Sequence, residues 1–401
     1  MALVPVAEAL ERLLDGAAPL ASESVPLFEA VDRVLAEPLV ALRTQPPFNA
    51  SAMDGYAVRA ADVASVPSKL SVIGMAPAGR GFEGSVGERQ AVRIFTGAPL
   101  PDGADTIVIQ ENVRNLGGGS IEVIEPTAEW RNIRRIGLDF SKGDVLLESG
   151  RLLDAAALSL TASANHPRVN VVKRPLVAII ATGDELLPPG SDLGPDQIIS
   201  SNAYGVAAAA QSVGARALDL GIAADRKDAI AALVKEAVAA GADVIVTLGG
   251  ASVGDHDLIH DVLTGEGMTL GFWKIAMRPG KPLMFGRLGA IRCIGLPGNP
   301  VASLVCSQLF LKPLLARLGG RNHRQDIRPA RLGAAMLAND LRQDYVRAVV
   351  REDDGGLMAT PFSIQDSSML RTLADANGLI VRMPFAPASA AGDSCSVLML
   401  R

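Results

Sequence analysis

The sequence predicts a multidomain α/β plus β protein, built around one α/β domain with a mostly parallel sheet. Three observations lead there. From Arg174 onward, short apolar runs alternate with helical segments of roughly 10 to 15 residues, the rhythm of β-α-β units with right-handed crossovers. From Gln45 to about Gly150, short strand-like runs are punctuated by glycine instead. After Arg328 the β texture returns.

Taken in order, Val6, Leu10, Leu13 and Leu14 recur at helical spacing, with Pro5 in the first turn and Gly16 at the end. A second short helix is expected from Leu27 to Ala36. The runs 69–74, 90–95 and 106–110 read as strands of a β-rich module, with the Gly117-Gly-Gly-Ser run as a hairpin loop. In the α/β domain, placed at about 174–326, strands are expected at 176–181, 217–222, 243–248 and 292–296. Helices are expected from Asn202 to Gly214 and, capped by Asp225, as far as Ala240. The tail, with strands at 345–350 and 396–400, is long enough for a small barrel or sandwich.

Composition narrows the function. The 401 residues correspond to two to four domains. With 49% hydrophobic and 20% charged residues, the chain is too apolar for disorder, and no apolar run reaches the ~18 residues of a membrane helix. A net charge of -5 argues against a dedicated nucleic-acid binder. Cys293, Cys306 and Cys395 are odd in number and lack CxxC spacing, so neither a disulfide frame nor a zinc site is indicated. Together with an N-terminus lacking a signal-peptide pattern, this leads to the expectation of a cytoplasmic protein.

Ligands of open parallel sheets bind beyond the carboxyl ends of the strands. Three glycine-rich loops fall there: Thr182-Gly183-Asp184-Glu185, Gly249 to Asp257, and Gly295 to Pro300 with Pro297, Gly298 and Asn299. A single such loop would be read as a tight turn; three at one edge favour a phosphate-bearing ligand. Asp184, Glu185, Asp225, Asp255 and Asp257 gather at the same edge and suit Mg²⁺, which typically takes one or two carboxylates plus phosphate and water. Asp225 and Asp255 could equally be helix caps and Asp184 a turn residue; Glu185 and Asp257 have no such role. Arg278 and Lys281, on a proline-stiffened loop, are candidate anion contacts, as is the run Arg131 to Arg135.

Two motifs point elsewhere. Gly250-Ala-Ser252-Val-Gly254 matches a nucleophile elbow, but its only downstream histidines are His256, His260 and His323, and the first two follow immediately. His256 and His260 have the spacing of a zinc helix, yet Asp257 replaces the glutamate such a helix needs. Both readings are set aside.

Seven blocks carry a resemblance: Pro47–Ala57 (PFNASAMDGYA), Phe95–Asp105 (FTGAPLPDGAD), Ala181–Leu186 (ATGDEL), Gly249–Gly254 (GGASVG), Met277–Pro282 (MRPGKP), Gly295–Ser303 (GLPGNPVAS) and Met369–Gly378 (MLRTLADANG). In this order, and over nearly the whole chain, the sequence resembles the molybdopterin molybdenumtransferases of the MoeA type, which include the E domain of gephyrin. The resemblance implies four parts: a helical linker from 1–45 with 141–173, a β-rich module at 46–140, a three-layer α/β molybdopterin-binding domain at 174–326 and a C-terminal β barrel at 327–401. It implies a cytoplasmic homodimer whose active site is shared between subunits. The implied reaction inserts molybdate into adenylylated molybdopterin, assisted by Mg²⁺, with release of AMP and molybdenum cofactor.

Carried over residue by residue, the resemblance assigns catalytic roles to Asp54, Thr96, Asp139, Glu185, Asp225 and Asp257, with Glu185, Asp225 and Asp257 as metal ligands. Substrate binding falls to Thr182, Gly183, Asp184, Gly249, Gly250, Ser252, Gly254, Arg278, Lys281, Pro297, Gly298 and Asn299. Leu138 stands where the family usually carries an acidic residue, and Ser368 where it usually has glycine. Two alternatives remain open: a molybdopterin adenylyltransferase, which the α/β domain alone also resembles, and a specialised cofactor carrier or scaffold. Partner proteins implied are a molybdopterin adenylyltransferase and molybdoenzymes, with no nucleic acid and no membrane.

Overall fold

The structure, a computed structural model, describes residues 3–249 and 258–400. The chain forms two compact units, one of residues 1–23, 32–34 and 171–401, the other of 24–31 and 35–170.

The larger unit is centred on a six-stranded sheet. Its strands lie in the order Arg216–Ala223, Leu176–Thr182, Val244–Leu248, Ile291–Leu296, Met284–Leu288 and Thr269–Trp273. The first four are parallel and the last two form an antiparallel hairpin at one edge. The alternation of side chains explains the layering. Val177 and Ile179 join one core with Val206 of the helix Asn202–Gln211, while Ala178 and Ile180 join a second with Ile230 and Val234 of the helix Lys227–Ala239 and Ile259 of the helix Leu258–Gly265. A strand apolar at every position has to be covered on both faces, and three layers result. The edge hairpin was not foreseen, because Gly271 and Gly286 interrupt its apolar pattern. Each glycine makes room for a neighbour: a Cβ at Gly271 would lie 2.8 Å from Phe285, and one at Gly286 2.4 Å from the Met268 sulfur.

The helix Val6–Leu14 forms as its spacing predicts, with Ala9 and Leu13 fully buried in the first core. The same core holds the helical segment Pro300–Leu318, whose middle turn, Ser307–Leu311, is a π-helix. Pro313 accounts for that turn: it has no N–H to return to Leu309, and the Lys312 N–H bonds the Ser307 carbonyl five residues back. At 19 residues and a mean hydropathy of 1.4 this helix could cross a membrane by length and composition alone, but 72% of it is buried inside the protein.

The tail closes into a barrel. Gln343–Asp353 pairs with Gly356–Pro361 on one side and Gly378–Arg382 on the other, and Ile327–Leu332 and Ser394–Met399 complete the ring around Leu332, Val350, Ile380 and Val397.

The smaller unit carries a six-stranded sheet ordered Thr106–Ile109, Gly55–Val58, Gln90–Ile94, Ser68–Ala76, Ser120–Val123 and Val113–Gly117. Gly117, Gly118 and Gly119 make the expected hairpin turn, all with positive φ. The helix expected from Leu27 to Ala36 is absent. Only a 3-10 turn, Leu27–Glu29, forms, because Asp32 adopts φ +61°, outside the helical region. Helical character in this unit reduces to Ala155–Ser163, where the Asp154 carboxylate accepts from the Ala157 N–H at 2.9 Å, and to short 3-10 turns.

Three loops of this unit are tied together. Ser51 and Ala50 pair with Ile133 and Arg134, Asn49 Oδ1 accepts from the Ile136 N–H at 2.9 Å, and Asp54 Oδ1 accepts from both the backbone N–H and the hydroxyl of Thr96 at 2.8 Å. Those two donors hold the Asp54 carboxyl below the usual carboxylate range. A group depressed in the folded state stabilises it above the ordinary carboxylate pKa, and that contribution is lost as pH falls through the depressed value. Asp54→Asn, which keeps an acceptor but removes the charge, should lower the urea midpoint of unfolding at neutral pH. The gap to wild type should close on acidification; a gap unchanged with pH would show that the charge is not what the loops rely on.

Candidate functional site

The chain crosses from Leu176–Thr182 to an outer neighbour, Arg216–Ala223, and then to the other side, Val244–Leu248. Strand order therefore reverses at Leu176–Thr182, the place where open α/β sheets leave a crevice. A cleft of about 680 Å³ opens there, lined by Thr182 and Gly183, Leu248 and Gly249, and Pro297, Gly298 and Asn299. Each pair or triplet ends or directly follows a strand, so the three turns singled out in the sequence do meet.

Close approach of backbones explains the glycines. Gly249 has φ +92°, and a Cβ on it would lie 2.8 Å from the Thr182 carbonyl oxygen; one on Gly298 would be 3.6 Å from the Gly249 Cα. Asn299 stands before Pro300 at the helix start, but its side chain does not cap the helix. Its Nδ2 donates to Ser367 Oγ at 2.9 Å, and Asn202 Nδ2 donates to the Gly298 carbonyl at 2.7 Å. Ser368, Leu370 and Asn202 also line the cleft. Sequence reasoning assigned none of the three to the site, having read Asn202 only as the start of a helix.

Glu185 and Asp225 contribute the carboxylates. Glu185 folds back over Gly183, where a Cβ would meet its Oε2 at 2.5 Å. Asp225 does not cap the following helix: Arg226 holds the N-cap position, and the Asp225 carboxylate remains available to a ligand. The Asp225 N–H donates to Asp184 Oδ1 at 3.0 Å, so Asp184 fixes the backbone that presents Asp225. Loss of hydration, then the charges of Asp184 and Glu185, push the Asp225 carboxyl up from its ordinary range. Crowded like charges beside a polar cleft are what a divalent cation relieves, and a pair of carboxylates is the share of ligands Mg²⁺ commonly takes from protein. Among the described residues no group of three or more His, Cys, Asp or Glu is placed to hold a metal.

The remaining predicted residues fall elsewhere. Arg278 is engaged by Asp344, by Asp340 at 3.5 Å and by Asn339 at 3.3 Å, and neither it nor Lys281 lines the cleft, although Pro282 does. Arg278 is thereby a link to the C-terminal barrel, with a carboxylate partner that the sequence could not reveal. Asp54, Thr96 and Asp139 belong to the smaller unit, the first two hydrogen-bonded and Asp139 exposed beside Leu138. Gly250, Ser252, Gly254 and Asp257 lie outside the described residues.

Comparison with known proteins matches this architecture part by part. Residues 4–165 match the MoeA N-terminal region (domain I and II), 178–317 a probable molybdopterin binding domain and 329–400 the MoeA C-terminal region (domain IV). The molybdopterin molybdenumtransferase of Bacillus subtilis is 36% identical, over 99% of this chain and 94% of its own length; that of Haemophilus influenzae is 40% identical over 76% and 74%. A crystal structure of the molybdopterin biosynthesis MoeA protein from Pyrococcus horikosii superposes with a TM-score of 0.86 at 31% identity, covering 100% of both chains. With all three family regions present in order and full-length relatives above 30% identity, the chain belongs to the MoeA family.

Proposed function

We propose that the protein is a molybdopterin molybdenumtransferase, which inserts molybdate into the dithiolene of adenylylated molybdopterin and releases AMP and molybdenum cofactor. The observation that carries this reading is the meeting of three glycine turns with Glu185 and Asp225 at the reversal of strand order. Close-packed turns such as Gly249 against Thr182 let backbone amides reach phosphate oxygens, and Asn202 and Ser367 brace the third turn from outside. Glu185 and Asp225 would hold Mg²⁺, with Asp257 as a third ligand, and Asp184 would orient Asp225. When bound, that ion would neutralise charge on the pyrophosphate and polarise the bond to be hydrolysed.

We further propose a cytoplasmic homodimer in which Asp54, Thr96 and Asp139 of one subunit serve the cleft of its partner. The family relationship and the tying of their three loops into one group support that reading.

Incubation with adenylylated molybdopterin, molybdate and Mg²⁺ should yield AMP and active cofactor. Formation of the adenylate from ATP instead, or binding without turnover, would overturn the assignment. Glu185→Gln should cut metal-dependent turnover by about 100-fold, the scale of losing one electrostatic contact to the reacting groups, while thermal unfolding stays near wild type. Gly183→Ala should displace the same carboxylate and, at φ +150°, destabilise by more than about 1 kcal/mol. Mixing Asp139→Ala with Glu185→Ala subunits should restore part of the activity that each lacks alone; no restoration would count against a shared site.

A further inference from the structure

A second depression lies in the larger unit. The strand Thr269–Trp273 is the outer strand of its sheet and pairs only with Met284–Leu288 among the described residues. The helix Val6–Leu14 packs against this strand, and together with Phe285 and Arg287 of the neighbouring strand they line a groove of about 550 Å³. Leu270, Gly271 and Phe285 form the floor, with Thr269 and Gly271 exposed along the edge. Because a Cβ at Gly271 would collide with Phe285, no side chain projects there, and the strand's backbone stays approachable.

The groove's charges are unequal. Glu8, Glu11 and Asp15 face Arg12 and Arg287. Both arginines are engaged, Arg12 by Glu8 and Arg287 by Asp15 at 3.1 Å and by the Asp15 carbonyl at 2.6 Å. Among the described residues, Glu11 is the exposed carboxylate of the groove that no cation pairs. The strand itself carries neither the proline nor the lysine that commonly discourages strand addition, although Lys274 follows it directly, with its carbonyl bonded by the Val4 N–H, and a register shift at Gly271 bends it.

We propose that this groove is a docking site for an extended, basic segment of a partner protein, which adds a strand to Thr269–Trp273 and places a lysine or arginine against Glu11. Main-chain hydrogen bonds would supply affinity and the carboxylate the choice of partner. The site goes beyond the transferase reading and is independent of it, since none of its residues lines the cleft at the strand-order reversal.

Labelled peptides of about eight residues, β-branched at alternate positions and carrying either lysine and arginine or glutamate at the others, test this by fluorescence anisotropy with the full chain. The basic set should bind at least roughly tenfold tighter than the acidic set. Glu11→Lys should erase that preference without altering thermal unfolding or AMP release, and hydrogen exchange at Thr269–Trp273 should slow when basic peptide is bound. Absence of a basic preference, a preference that survives Glu11→Lys, or exchange unchanged on binding would each overturn the proposal. Loss of self-association in Glu11→Lys, with no peptide binding by wild type, would do so too, by assigning the edge to a second copy of the chain.

Discussion

The larger unit depends on burial of both faces of Leu176–Thr182. Its consecutive apolar residues cannot be divided into a core face and a wet face, so helices must cover the sheet from two sides. Val177 and Ile179 are used up in one layer, Ala178 and Ile180 in the other. What the two layers leave open is the turn beyond the strand's end, where Asp184 and Glu185 are exposed. Thr182 and Gly183 emerge where the next two connections leave in opposite directions, so the crevice is a by-product of topology before any side chain is chosen.

That logic explains what could be read from sequence. Apolar runs and the glycine turns after them identified the parallel strands and most of the cleft. Elements that depend on distant partners could not be read this way. The hairpin Thr269–Trp273 with Met284–Leu288 is broken by glycines that exist to admit Phe285 and Met268. Gly55–Val58 lies inside the sheet of the smaller unit, yet in sequence it is the end of a loop motif. The stretch from Leu27 has helical spacing that one left-handed residue, Asp32, cancels.

Charged residues divide in the same way. Glu185 was identifiable because nothing local explained it, and it lines the cleft. Asp225 had a plausible local role as a cap, which Arg226 occupies instead. Arg278 looked like an anion contact because its partners Asp340 and Asp344 lie over 60 residues downstream, in the barrel. Acids and bases differ in how far they reach. A turn limits what a short carboxylate can reach, whereas a long arginine can be claimed by any surface folded against it.

The wide turn at Ser307–Leu311 shifts the phase of the helical segment Pro300–Leu318. One extra residue in a turn rotates everything after it by about 100° relative to a regular helix. Residues before Ser307 and after Leu311 therefore cannot be plotted on a single helical wheel. Val301 and Val305 share a side in the usual four-residue rhythm, but counting onward in fours from Val305 reaches Leu309 and then Pro313, the residue whose missing N–H resets the phase. Substitutions chosen to repack Leu314, Leu315 and Leu318 together with Val301 or Val305 would need their spacing lengthened by one across that point, or matched side chains would face different neighbours.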